Sequence, residues 1–397
     1  MKNVNPTTLF VVVVMLTIMP ALGIDLQLPA MPAIGRDFRA SVAEVQLTLS
    51  LYTIVFAVMQ LLFGALGDRF GRRRLLIGAM ALYALASLYC ALAPSLDHLL
   101  AARALQAFAA CAGPVLSRAV IRDFHGPSGA GRVLGSVMAW FGIAAIVVPV
   151  LGGQLVEAFG WRATYGAAAA FGLGLAVMVT TLLPETHSVQ DRTADFGTLI
   201  RNYLTMLRAR QVVVTALIGC LVQASFFSWI AGSSFAVINA LGESPSVYSV
   251  GYAVTILGFV TASFASGRLA GRLGPRGLMT LGTIIAVTGA VLGVVLNLTL
   301  TPSLATLVPP MIVVAVGHGL AYAQSMGCAM AAYPRLAGTA SALFGFVQFG
   351  TATLAVLANG ALYDGTVLPV LIVSLSASTL AALCLALFRR YLVVADA

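Results

Sequence analysis

Charge is what this sequence has least of. Only 9% of its 397 residues are Asp, Glu, Lys or Arg, whereas 60% are hydrophobic and the mean hydropathy is +0.99. A soluble domain is about a quarter charged, so this chain cannot build a water-facing surface around its whole length. Lysine is nearly missing as well. Of 22 basic residues one is Lys2 and the rest are arginine, in short gaps between apolar runs. That placement is a topology signal, and it excludes a nucleic-acid face in spite of the net charge of +9. The five cysteines (Cys90, Cys111, Cys220, Cys328, Cys384) lie within or at the ends of apolar runs, without pairing or metal spacing. They read as small packing residues, and no metal or other cofactor is expected. A G-x-x-x-x-G-K-(S/T) loop is missing too, so ATP is not the direct energy source. No polar stretch is long enough for a sizeable soluble domain, which counts against a receptor. No small-x-small cleavage site follows the N-terminal apolar run, so that run is read as a membrane helix rather than a removed signal.

What remains is apolar sequence in continuous stretches of about 20 residues, the length of a membrane helix, whereas barrel strands would alternate over about ten. Windowing predicts an all-α membrane protein with twelve spans, near 8–28, 45–66, 75–93, 98–121, 132–156, 163–183, 211–238, 246–268, 277–297, 304–331, 337–361 and 367–388. The longest polar gap predicts a division into an N-terminal six-helix bundle (1–183), a cytoplasmic linker (184–210) with an amphipathic stretch from Leu199 to Leu207, and a C-terminal six-helix bundle (211–397). With both termini cytoplasmic, Arg36, Arg39 and Arg162 fall outside and Arg103 and Arg118 fall within the fourth span. Every other basic residue, including Lys2, Arg335, Arg389 and Arg390, then lies on the inner side. The halves also repeat: GALGDRFGRRRL begins at Gly64 and GRLAGRLGPRGL at Gly267, an offset of 203 residues. Each copy joins the second span of its half to the third. Parallel repeats of this kind suggest a transporter whose site lies between the halves, near the midplane.

The loop GALGDRFGRRRL resembles the motif G-x-L-x-D-R-x-G-R-(R/K)-x-x-L of the major facilitator superfamily, matched at Gly64, Leu66, Asp68, Arg69, Gly71, Arg72, Arg73 and Leu75. The resemblance implies that Asp68 meets the positive N-terminal end of a helix of the other half, that Asp123 takes one of the arginines, and that these contacts lock one transport state. The second copy has Gly271 where Asp68 stands, so only the N-terminal lock is complete. RALQAFAACAGPVLSRAVIRD, Arg103 to Asp123, is similar to the fourth-helix R-x-x-Q-G motif of proton-coupled members, with Ala107 for the usual glycine. IDLQLPAMPAI resembles the first-helix segment of the Bcr/CflA drug-resistance transporters. The SRAVIRD ending and the GWR at 160–162 fit the same group. One departure stands out. GIAAIVVPVLGG carries Val148 before Pro149 where the antiporter motif has glycine, although Pro149, Gly152 and Gly153 remain to bend and pack that helix.

Asp25 is the one carboxylate clearly inside a span. Leu9 to Ile24 is 16 residues, about 24 Å of helix against a hydrocarbon core of about 30 Å. The span must therefore run past Asp25, to Leu28 or Pro29. A charge near the bilayer centre costs at least about 2.5–3.5 kcal/mol and usually faces a cavity. Desolvation favours the neutral acid, and a carboxyl that alternates between protonated and ionised forms is what proton coupling requires. Pro29 and Pro32 remove backbone donors and end or bend the helix beside it. Arg103, one to two turns into the fourth span from the same side, is the expected partner. Ser228 occupies the position of Asp25 at the 203-residue offset, so the proton site is expected in the N-terminal half alone.

Candidate cavity residues follow from helical spacing: Tyr52, Phe56 and Gln60 on the second span, Ser225 and Trp229 on the seventh, His318 and Tyr322 on the tenth, and Ser341, Phe344 and Gln348 on the eleventh. Arg118 joins them as an anchor for acidic substrates or as a structural arginine. His318 is the lone intramembrane histidine, read as neutral and cavity-lining, with a proton relay as the alternative. The whole predicts a monomeric proton antiporter of the bacterial inner membrane, exporting amphipathic drugs or antibiotics by alternating access and binding no nucleic acid. A proton-coupled exporter of a metabolite such as an amino acid or sugar is the alternative. An importing symporter, a receptor or a membrane enzyme fits less well, for no nucleophile–base pair or metal cluster is visible inside the spans.

Overall fold

A computed structural model describes residues 5–186, 196–333, 336–388 and 391. Lys2, Arg335, Arg389, Arg390 and the part of the linker at 187–195, all used above to assign sidedness, lie outside the described residues. The described chain is almost entirely helical. Eleven stretches are long and apolar enough to cross a membrane. One of them, Pro245–Thr299, is 55 residues long. As a single helix it would measure about 80 Å against a core of about 30 Å. Gly274, at φ 66° and ψ 163°, breaks it into two crossings, giving twelve among the described residues.

In chain order these are α1 (Pro6–Phe38), α2 (Val42–Phe70), α3 (Arg72–Ala91), α4 (Leu96–Gly126), α5 (Gly129–Phe159) and α6 (Trp161–Leu182). An amphipathic linker helix, α7 (Phe196–Arg208), follows. The rest are α8 (Arg210–Ala240), α9 and α10 (245–273 and 275–299), α11 (Leu304–Ala331), α12 (Ala337–Leu362) and α13 (Leu368–Phe388). The internal repeat has a structural counterpart. Gly71 (φ 87°) starts α3 and Gly274 starts α10, and both hold the left-handed backbone conformation open to glycine at little cost.

The first span departs from the sequence reading. Instead of ending at Leu28 or Pro29, α1 is helical over Pro6–Thr17 and Met19–Gly23, passes through a turn, and resumes through Leu28–Ala30 into Met31–Phe38. α5 runs helically through Pro149, from Gly129 to Phe159.

The chain divides into two compact units, one of 1–40 with 51–199 and one of 41–50 with 200–397. In the first unit, α3 packs on α4 and α6, and Gly172 of α6 lies against Tyr83 and Ala84 of α3. In the second, α10 and α11 touch backbone to backbone: a Cβ on Gly317 would stand 2.5 Å from the Ala286 nitrogen. Without a hydrophobic force between helices in lipid, such small-residue seams supply the packing. The first turns of α2 belong to this unit, with Gln46 Nε2 donating to the Ala231 carbonyl at 2.8 Å. α7 buries Met206 against Val212, Ala216 and Phe344, while Ile200, Leu204 and Leu207 stay exposed.

Candidate functional site

The break in α1 follows from its sequence. Pro29 and Pro32 carry no N–H, so two rungs of the i→i−4 ladder cannot form. The chain tightens instead: Gln27 N donates to Ile24 O at 3.1 Å and Ala30 N to Gln27 O at 3.0 Å, while Asp25 N and Leu26 N both turn back to Ala21 O. Because Gln27 N has gone to Ile24, the Gly23 carbonyl loses its ladder donor. Arg103 Nη1 takes its place, donating at 2.8 Å. The Leu26 carbonyl is packed by α5, where a Cβ on Gly152 would sit 2.5 Å from that oxygen and 3.1 Å from Pro29 Cγ. The three features quoted from the sequence, the prolines after Asp25, the arginine of α4 and the glycine after Pro149, thus meet at one break.

Asp25 stands at the turn and is 9% exposed. Arg103 is 1% exposed. A buried guanidinium costs several kcal/mol unless its donors are satisfied, and a network answers that need. Nη1 donates also to Gln106 Oε1 at 2.6 Å, Gln106 Nε2 donates to Ser87 Oγ at 2.8 Å, and Ser87 Oγ donates to the Tyr83 carbonyl at 2.7 Å. The guanidinium lies over the Tyr52 ring, 4.3 Å from its centroid, and 5.9 Å from that of Tyr165. Tyr52 is within electrostatic range of both Asp25 and Arg103 and stacks on Phe56 at 6.1 Å. Arg103 thus reaches the break in α1 at Gly23, two residues before Asp25, and lies over the Tyr52 ring.

Sequence reasoning left four residues of this cluster unassigned. Gln106 is the glutamine of R-x-x-Q and could have been taken from that motif. Tyr83, Ser87 and Tyr165 carry no local signal, since tyrosines and serines inside apolar helices look like packing. Gln27 is held by Thr164 Oγ1, which donates to its Oε1 at 2.5 Å. Among the described residues Gln27 Nε2, Gln60 Nε2 and the hydroxyls of Tyr52 and Tyr83 have no hydrogen-bond partner although buried. Leaving such an atom unsatisfied costs about 1–3 kcal/mol. Arg118, in contrast, is exposed and away from this cluster.

At the end of α2 the loop motif is assembled around Arg72. Its side chain is 3% exposed and forms ion pairs with Asp123 and, at 3.4 Å, with Asp68. Nη1 also donates to the Ala119 carbonyl at 2.8 Å, and the Arg72 backbone N–H donates to Glu185 at 3.0 Å. Arg73 donates to the Thr180 carbonyl at 2.5 Å, so the loop ties α2, α4 and α6 together. Arg69 lies over the Phe70 ring. Which arginine Asp123 takes was left open by the sequence; it is Arg72.

In the second unit the candidates separate into two groups. Trp229 is fully buried with Nε1 donating to Thr255 at 3.0 Å, and Ser225 bonds Ser374 at 2.9 Å. Phe344 lies in the packed cluster beneath α7. The other group is His318, Tyr322 and Gln348, in which Tyr322 donates to Gln348 Oε1 at 2.9 Å and packs edge-on against Phe344 at 5.5 Å, so that Phe344 joins both. Ser228, the counterpart of Asp25, donates to Asn359 Oδ1 and the Val370 carbonyl while its own carbonyl accepts from Asn359. The helix stays regular there and loosens into a π-turn only at Phe235–Ala240. Among the described residues no group of three His, Cys, Asp or Glu comes together to hold a metal.

The family model of the Major Facilitator Superfamily matches residues 13–357. The chain belongs to this family. It is 32% identical over 337 residues to an uncharacterized MFS-type transporter, YdgK, of Bacillus subtilis, covering 84% of this chain and 83% of that protein. It is 27% identical over 367 residues to a bicyclomycin resistance protein homolog of Haemophilus influenzae, with 89% of each covered. A chloramphenicol resistance protein of Pseudomonas aeruginosa is 28% identical over 338 residues, with 82% and 77% covered. Among solved structures, a bacterial homolog of the human lysosomal transporter Spinster superposes with a TM-score of 0.75 over 98% of this chain and 97% of its own, at 16% identity. At that identity the likeness establishes the major facilitator fold. The family is one of membrane transporters, not enzymes, and this chain is a multi-pass membrane transporter of that family.

Proposed function

We propose that this facilitator exports amphipathic drugs or antibiotics across the bacterial inner membrane in exchange for protons, as a monomer with both termini cytoplasmic. The bundles 1–183 and 211–397 are the bodies that alternate access, joined by 184–210. The observation that carries the reading is the broken first helix. It presents an acid, Asp25, beside a buried arginine whose donor has replaced the ladder bond of Gly23. Protonation of Asp25 removes a negative charge two residues from that contact, which gives the proton a mechanical lever on α1. In the exchange, a proton from outside neutralises Asp25 as substrate leaves, and its release inside resets the acid. Arg103 is the counter-charge, and Gln106 and Ser87 hold it in place.

The printed names of the bicyclomycin and chloramphenicol relatives support antibiotics as cargo. The loop motif supports Asp68, Arg69, Gly71, Arg72, Arg73 and Asp123 as the lock between states. Tyr52, Phe56, Gln60, Trp229, His318, Tyr322, Phe344, Gln348 and Arg118 remain the candidate substrate contacts. Drug addition to the purified protein in weakly buffered detergent tests the scheme. Each drug bound should release protons, and growth of a pump-deficient host expressing the chain should become drug-resistant. Binding with no proton release, across several drugs and pH values, would remove the coupling.

A further inference from the structure

Among the described residues of the second unit, His318 is the one side chain with two buried polar atoms that lack a hydrogen-bond partner. It is 5% exposed, and among the described residues neither Nδ1 nor Nε2 has a hydrogen-bond partner. A neutral imidazole carries one donor and one acceptor in its ring plane, so both are buried unmatched. The surroundings are aromatic. The Phe259 ring stacks on His318 with centroids 4.5 Å apart and planes 15° from parallel. Phe226 lies 5.4 Å away at 31°, and it stacks on Phe259 at 6.3 Å and 19°. Tyr322 closes a side edge-on, at 5.2 Å and 66°, with its hydroxyl committed to Gln348.

This geometry constrains what could satisfy the histidine. Hydrogen bonds to either ring nitrogen must arrive in the imidazole plane. A flat group making such a bond is free to turn about the bond axis, and one orientation lays it in that same plane. In that orientation the face of Phe259, 15° from parallel to His318, also stacks on the incoming group, with Phe226 tilted at 31° beside it. A bulky or tetrahedral group would meet those faces with its width. We propose that Phe226, Phe259, His318 and Tyr322 form a recognition slot for flat aromatic substrates that carry an in-plane N–H, O–H or acceptor. The inference rests on the export reading and adds to it a substrate class. The slot opens to admit its ligand, because the side chain is enclosed in the present state. His318 acts there as a neutral hydrogen-bonding group, with no change of protonation.

The sign of a stability effect separates this role from packing. His318→Phe keeps an aromatic ring and removes two unmatched polar atoms, so the variant should melt no lower than the parent. His318→Gln retains an in-plane donor and acceptor without the ring. Binding is measured on the full chain in detergent, with ethidium as a flat probe bearing ring-plane amines and tetraphenylphosphonium as a non-planar cation with no donor. His318→Phe should weaken ethidium about tenfold, the equivalent of one buried hydrogen bond, and leave tetraphenylphosphonium within about twofold. His318→Gln should recover part of the loss, and Phe259→Leu should weaken ethidium alone. Unchanged ethidium binding in His318→Phe, or an equal fall for both probes, would overturn the slot while leaving drug export standing. A parent protein that binds neither probe overturns the slot, whereas the export reading falls only if no drug elicits proton release or resistance.

Discussion

Asp25 stands at a break within a membrane-crossing helix, and the role proposed for it depends on that break. In a continuous helix the Gly23 carbonyl would be occupied by Gln27 N–H, and Arg103 would need another acceptor. Asp25→Asn, which imitates the protonated acid, should therefore abolish proton-driven efflux while the protein still inserts and folds. Proton release on drug addition should vanish, and binding should weaken more for cationic than for neutral drugs. Normal release in that variant would move the coupling site elsewhere. Arg103 tests the same cluster from the other side. Its guanidinium directs one nitrogen at both Gly23 O and Gln106 while its face covers Tyr52. A lysine ammonium cannot reproduce that fork and plane. Efflux should fall by about tenfold or more in Arg103→Lys and further in Arg103→Ala; full activity in Arg103→Ala would take the residue out of the mechanism.

Among the elements, α1 is the one whose shape depends on its neighbours. Glycines at three points let other backbones or side chains come close to it: Gly113 of α4 faces the Leu16 carbonyl, Gly152 of α5 faces that of Leu26, and Gly23 itself lies against the hydroxyl end of Tyr52. Adding one methyl at Gly152 forces its Cβ to within 2.5 Å of Leu26 O, where both atoms are backbone-fixed. Gly152→Ala should cost about 1–3 kcal/mol, the range for overpacking, and lower the melting temperature. Transport should drop with it, because the carbonyl displaced lies one residue from Asp25. An unchanged melting temperature and rate would mean that α1 and α5 are not held this closely. The close approach of α5 to α1 is made at Gly152, one turn beyond Val148.

For the molecule as a whole, the loop after α2 matters more than any single span. Arg72 reaches Asp68 on α2 and Asp123 on α4 at once, and Arg73 adds α6, so the ends of three helices are tied at one loop. Asp68→Asn removes one charge from this cluster and touches no substrate contact. The expected result is a lower turnover with substrate affinity nearly intact. A fall in affinity by orders of magnitude at unchanged turnover would reassign Asp68. Arg72→Ala should be more damaging, since it leaves the half-buried Asp123 without the cation that compensates it, and a reduced yield of folded protein should accompany the loss of rate.

The sequence by itself determined the number of crossings, the repeat, and the family, because apolar length and loop charge are local properties that bilayer thickness turns directly into helices. It also singled out Asp25, since a carboxylate inside a greasy run needs no structure to be conspicuous. The tertiary structure decided what Asp25 stands beside. That α1 resumes to Phe38 instead of stopping at Pro29, that Arg103 takes the Gly23 carbonyl, and that Gln106, Ser87 and Tyr83 lie behind it are consequences of which helix faces meet. Those meetings are set by small residues such as Gly113 and Gly152, whose lack of a side chain gives a single sequence no sign of what they approach. The same holds for His318: its aromatic neighbours come from α8, α9 and its own helix, about 92 and 59 residues away for the first two, and only packing could bring them to one imidazole.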